Sequence, residues 1–152
     1  MINNKLHEIT IMLDNRKSKY GDYSDTADIV NELVKLINLD DNDIKLTIYM
    51  LGLKFSRIVL GDTYYFDNPM DICGYITRFL ESKPDDWFDN YEQTNYKINL
   101  NKYTSNKDLS ELDIIETFNM QICNCIINPK NKNNWLSLFA NANDFYYITK
   151  QH

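Results

Sequence analysis

Residues 44–80, IKLTIYMLGLKFSRIVLGDTYYFDNPMDICGYITRFL, decide the fold. Ile44, Ile48, Leu51, Phe55 and Ile58 recur at the three- and four-residue spacing that puts side chains on one face of a helix. A short link, Gly61 to Pro69, follows, and its Asn68-Pro69 suits the first turn of a new helix, where the missing proline N–H is no loss. Ile72, Cys73, Ile76, Phe79 and Leu80 then resume the same period until Lys83-Pro84 stops it. Two amphipathic helices joined by a short link fold back on each other. Lys54 and Arg57 lie one turn apart on the first, Asp71 and Tyr75 one turn apart on the second, and Arg78 continues the second face. The packed hairpin therefore carries cations, a carboxylate and a phenol in one wall.

Working outward, Leu6, Ile9 and Leu13 predict a first helix ended by Tyr20-Gly21-Asp22, where glycine is free to take positive φ. Ser24 or Asp25 is the expected N-cap of a second helix whose apolar stripe is Ala27, Val30, Val34 and Ile37 and whose polar stripe is Asp25, Asp28, Glu32 and Lys35. The third helix starts near Asn42. Beyond Lys83 the composition turns to Asp, Asn, Tyr and Thr, and the alternation Tyr96-Lys97-Ile98-Asn99-Leu100 reads as a short strand or an extended linker. Helical spacing returns over Leu109–Ile127, breaks at Asn128-Pro129, and returns again over Trp135–Thr149, where Trp135, Leu138, Phe139, Phe145 and Ile148 form the buried set. The expectation is an all-α bundle of about six helices with an irregular segment near 85–107.

The composition excludes several function classes. A net charge of −6 over 152 residues argues against a broad nucleic-acid surface, which needs clustered Lys and Arg. It leaves room for one local cationic pocket. Cys73, Cys123 and Cys125 are odd in number and fall in helical patterns, so they read as reduced thiols rather than a disulfide framework. Cys-x-Cys on a helix points its two thiols apart and makes zinc a poor fit. No run approaches the ~18 apolar residues of a membrane span, and Lys5, His7 and Glu8 interrupt the apolar run a signal peptide needs. The expected location is the cytoplasm, with no membrane partner.

Lys54 and Arg57 have the chemistry to hold a phosphate, a planar fork beside a point charge. The alternative is structural: Arg57 pairs with Asp71 across the hairpin and Lys54 reaches solvent. Arg78 adds a third cation to the wall and weighs toward an anion. Asp28 and Glu32, spaced i, i+4, have the oxygen ligands for a divalent cation, with Asp67 or Asp71 supplying more. A solvated carboxylate face is the commoner meaning of that pattern. His7 and the terminal His152 cannot build a histidine metal site or a Ser-His triad from a helical neighbourhood. The aromatic clusters Tyr64-Tyr65-Phe66 and Phe145-Tyr146-Tyr147 read as packing or as stacking platforms for a base.

Three segments in order, Arg16-Lys17-Ser18-Lys19-Tyr20-Gly21-Asp22, Lys54-Phe55-Ser56-Arg57-Ile58-Val59-Leu60-Gly61 and Asp67-Asn68-Pro69-Met70-Asp71-Ile72-Cys73-Gly74-Tyr75, resemble the R-x-x-x-YGD, K-x-x-R-I-x-x-G and D-S-x-x-D-I-A-G-Y segments of a phage-borne helical family. That family is similar to the MazG-like, nucleotide-modification-associated proteins, relatives of the all-α nucleoside triphosphate pyrophosphohydrolases. The resemblance spans residues 10–82 and implies a MazG-like four-helix core, 1–83, with a C-terminal helical extension, 84–152, packed on it. It nominates Tyr20, Gly21, Asp22, Lys54, Arg57, Asp67, Asp71, Gly74 and Tyr75. Where the catalytic MazG pattern carries Glu-Glu-x-x-Glu, this chain has Asp28 and Glu32.

The functional expectation is a phage-type nucleotide-binding protein, with hydrolysis of a nucleoside triphosphate as one branch and binding without turnover as the other. Ligand residues are Tyr20, Lys54, Arg57, Asp71, Tyr75 and Arg78. Asp28, Glu32 and Asp67 are the candidates for Mg2+. The alternative is an anti-defence protein in the host cytoplasm that sequesters a nucleotide signal or masks a host defence protein. A homodimer is implied by the resemblance, since MazG-like sites are built from helices of neighbouring subunits.

Overall fold

A computed structural model describes residues 2–89 and 95–152 of the chain; positions 90–94 of the expected irregular segment lie outside the described residues. The helices are α1 (Ile2–Tyr20), α2 (Tyr23–Val34), α3 (Asn42–Leu60), α4 (Asp67–Glu81), α5 (Leu109–Ile127) and α6 (Lys132–Lys150), with 3-10 turns at Asp85–Trp87 and Asn101–Tyr103. The fold is all-α, with no strand among the described residues. No helix among them is long and apolar enough to cross a membrane.

The helix read first from sequence is the centre of the bundle. α2 and α4 flank α3, α5 packs across it, and α6 closes over α4 and α5. Ile44, Ile48, Leu51, Phe55 and Ile58 are fully buried and join Ile72, Ile76 and Phe79 of α4 with Ile115, Phe118 and Ile122 of α5 in one continuous core. Trp135, Leu138 and Phe145 complete it from α6. Trp135 packs on Phe79 with ring centroids 4.1 Å apart, and its indole N–H donates to the Pro129 carbonyl at 2.7 Å. Burial of the indole body with a satisfied N–H makes this ring an anchor rather than a polar liability. Ile148 is exposed, and Thr149 takes the inward position instead.

The starts of α2, α3, α5 and α6 are fixed by aspartate and asparagine caps. Asp41 caps α3, Asp108 and Glu111 form a reciprocal capping box on α5, and Asn131 caps α6. Asp41 also pairs with Lys83, which reaches Asp43 at 3.2 Å as well, so the start of α3 is clamped to the end of α4. Partial burial pushes the Asp41 carboxyl up, but the hydrogen bonds from Lys83 and the Ile44 N–H more than offset it and hold the group below its ordinary range.

The second helix starts earlier than its sequence suggests. Its cap is Asp22, not Ser24 or Asp25; the Asp22 carboxylate accepts from Ser24 N at 2.9 Å and Asp25 N at 3.3 Å. Gly21 permits this with φ of +89°, reversing the chain in two residues. A Cβ at Gly21 would lie 2.3 Å from the Leu60 Cβ. Gly21→Ala is therefore expected to lower stability by about 1–3 kcal/mol, from backbone strain and a clash against α3. Thermal or urea unfolding checks it, and an unchanged midpoint would contradict it.

The expected stripe of α2, Ala27, Val30, Val34 and Ile37, is the margin of its core face rather than the centre: Val34 and, past the helix end, Ile37 pack against the core. Ile29 and Leu33 are buried, while Ala27 is exposed and Val30 and Val34 are half-buried. Together the five form an apolar arc about 160° wide at 100° per residue, and the core takes one half of it.

Residues 95–100 form no strand, and the buried backbone partner of the segment is a side chain. The Asn119 carboxamide accepts from Ile98 N at 3.0 Å and donates to Ile98 O at 2.9 Å, both buried. The alternation remains visible: Ile98 and Leu100 turn inward, and Lys97 and Asn99 outward.

Candidate functional site

α3 and α4 run antiparallel, so their residues face each other in levels. Asp71 meets Lys54, Tyr75 lies level with Met50, and Arg78 lies near Leu46 and Thr47. Between them is a pocket of about 450 Å³ lined by Leu46, Met50, Met70, Asp71, Tyr75 and Arg78, with Thr47 and Gly74 completing it. That volume falls in the ~300–1,000 Å³ range of small-molecule sites. A Cβ at Gly74 would touch nothing within 4 Å, so glycine there leaves open space.

Lys54 and Asp71 form an ion pair of 2.7 Å, with the lysine side chain 10% exposed and the carboxylate 32%. The alternative foreseen from sequence had the right kind of contact with the wrong cation: Lys54, not Arg57, pairs with Asp71, and Lys54 is buried rather than solvated. Arg57 lies with its guanidinium 4.2 Å from the centroid of the Tyr20 ring, a cation-π contact. Tyr20 in turn meets Tyr65 with centroids 5.9 Å apart. Burial first, then the contact with Tyr20 and the charge of Asp67, push the Tyr65 phenol up, against the opposing Arg57 charge. The nominated residues thus fall into two neighbouring groups. Asp71, Tyr75 and Arg78 line the pocket with Lys54 behind Asp71, while Tyr20, Arg57 and Asp67 gather with Tyr65 at the far end of α3.

The carboxylates nominated for magnesium do not share one place. Asp28 and Glu32 line a separate polar pocket with Lys102 and Tyr103, and Glu32 bonds Lys35 at 3.0 Å. Asp67 lies in the first turn of α4. Among the described residues no group of three or more His, Cys, Asp or Glu side chains is arranged to hold a metal ion. The donor set does not fit a preformed magnesium site.

The other polar candidates resolve into structure. Tyr64 stacks on His152 with centroids 3.6 Å apart and packs on Phe145. The three cysteines are free; Cys123 and Cys125 are buried, and burial pushes the Cys123 thiol up to about 11. Such thiols are not nucleophiles near neutral pH.

Two parts of the site escaped sequence reasoning. Leu46, Met50 and Met70 are the apolar part of the lining, but they stand off the main stripe of their helices and read as scattered surface residues. Lys107, far along the chain, buries its ammonium against the α3–α4 link, donating to Gly61 O at 2.8 Å and Thr63 Oγ1 at 3.0 Å with Glu111 at 3.7 Å. Its signal was only a lysine before a capping aspartate. No family model, no curated protein and no solved structure matches this chain.

Proposed function

We propose that the α3–α4 pocket binds a nucleotide or nucleotide-derived small molecule, with Arg78 receiving phosphate and the apolar lining of Leu46, Met50 and Met70 receiving the base. The observation that carries this reading is Arg78 itself: it lines the pocket, it is exposed, and it has no ion pair with any described residue. Lys54 neutralises Asp71, so the carboxylate in the wall does not repel an incoming anion. Tyr75 adds a phenolic donor beside the guanidinium. The resemblance to MazG-like proteins supports the same ligand class.

Binding without turnover is the branch we favour, because the acidic residues that would hold magnesium are dispersed over α2 and α4. In that branch the protein sequesters its ligand, the chemistry expected of a phage protein that intercepts a nucleotide signal.

The test is a thermal-shift screen against nucleoside mono-, di- and triphosphates and cyclic nucleotides, with and without magnesium. A stabilising ligand is expected for the parent, and Arg78→Ala is expected to abolish that shift without lowering its own melting temperature. A shift that survives in Arg78→Ala would overturn the assignment. Chromatography of the recovered ligand separates the branches: intact ligand means sequestration and cleaved ligand means hydrolysis.

A further inference from the structure

α1 has no apolar partner over most of its length. Every residue from Asn3 to Leu13 is exposed, and its stripe stands in solvent, with Leu6 58%, Ile9 47% and Leu13 54% exposed. No described residue of α1 belongs to the core. Its described anchors are at its C-terminal end, where Tyr20 meets Arg57 and Tyr65 and Gly21 is set against Leu60.

The same molecule has an apolar groove that nothing fills. It is about 430 Å³ in volume and runs between the outer faces of α2 and α3, lined by Ala27, Val30, Val34, Tyr49, Met50 and Leu53. This is the half of the α2 arc that the core leaves over. A helix hydrophobic beyond its core face needs a second cover.

We propose that the second cover is α1 of another copy of this chain, each copy of a two-fold dimer laying its α1 in the α2–α3 groove of the other. Two observations choose this occupant, the matching lengths and the link at Gly21. The dimensions agree: the eleven residues Asn3 to Leu13 rise ~16 Å and the twelve of α2 ~18 Å. Charge does not oppose the pairing, since Lys5 and Glu8 of the arm cancel while α2 has Asp25, Asp28 and Glu32 with no basic residue. Asn31 joins the groove to the exposed Asp28 and Glu32. Finally, the two-residue link pinned by Gly21 holds α1 where its own groove stays open, so the arm must come from elsewhere. Two-fold symmetry makes the junction twice, and each need bury only about half of the ~1,600 Å² of a standard interface.

The test uses the full chain in sedimentation equilibrium, with Ile9→Asp on the arm and Ala27→Arg in the groove. Both positions are on exposed helix surface, and circular dichroism verifies that each variant is folded. The parent is expected to be a dimer and each variant a monomer at the same concentration. Mixing the variants is expected to restore a dimer, because one copy retains the intact arm and the other the intact groove. A monomeric parent would overturn the proposal and leave the groove to a different partner. A dimer that persists in Ala27→Arg, or a mixture that stays monomeric, would overturn it in favour of contact elsewhere, such as arm against arm.

Discussion

Asp71→Ala is expected to destabilise the protein by about 3 kcal/mol, while Lys54→Met, which breaks the same ion pair, costs less than about 1 kcal/mol. The difference follows from unequal exposure. Lys54 has 10% of its side chain exposed and Asp71 32%. Removing the carboxylate strands an ammonium in the interior of the hairpin, where it must lose its proton or draw water inward. Removing the lysine leaves a carboxylate that water already reaches, and methionine keeps the aliphatic packing of the stem. Urea unfolding with an unchanged slope measures both. Equal losses would mean that the pair is not held in this asymmetric environment. The comparison also serves the ligand assay, because loss of binding in Asp71→Ala is interpretable only against its loss of stability.

Asn119→Leu is the second large effect, also about 3 kcal/mol, with no cavity to explain it. Leucine fills a similar volume, but the Ile98 N–H and C=O, both buried, lose their partner together. Each unsatisfied buried backbone group costs roughly 1–3 kcal/mol. Hydrogen exchange localises the effect: the Ile98 amide is expected to lose protection, while amides in the middle of α3 change only as far as global stability does. Protection retained at Ile98 would show that the amide is held by something other than Asn119.

The α3 and α4 faces were legible because each carries a strong single stripe between clear end signals, and every core position expected on α3 is buried. α2 was harder for a definite reason. Its apolar arc is wide enough for two interfaces, and a sequence does not say which half meets its own core. Of the residues expected in one hairpin wall, Lys54 and Asp71 pair beside Tyr75 and Arg78 while Arg57 turns to Tyr20, so the pairing was off by one turn. Whether Asp71 reaches Lys54 or Arg57 depends on how the Gly61–Phe66 link sets the register, and a shift of one turn moves every cross-helix partner. The alternating run at Tyr96–Leu100 read as a possible strand because alternation reports two faces, not what satisfies the backbone. Here an asparagine one helix away does that work.

The Tyr20-Gly21-Asp22 run has one further consequence. Tyr20 lies under Arg57, Gly21 against Leu60, and Asp22 caps α2. Segments that stand more than thirty positions apart on paper are in space two halves of a single joint. The role of these three residues is therefore mechanical. Together they set the direction in which the first helix leaves the bundle, by a joint that shares no residue with the α3–α4 pocket.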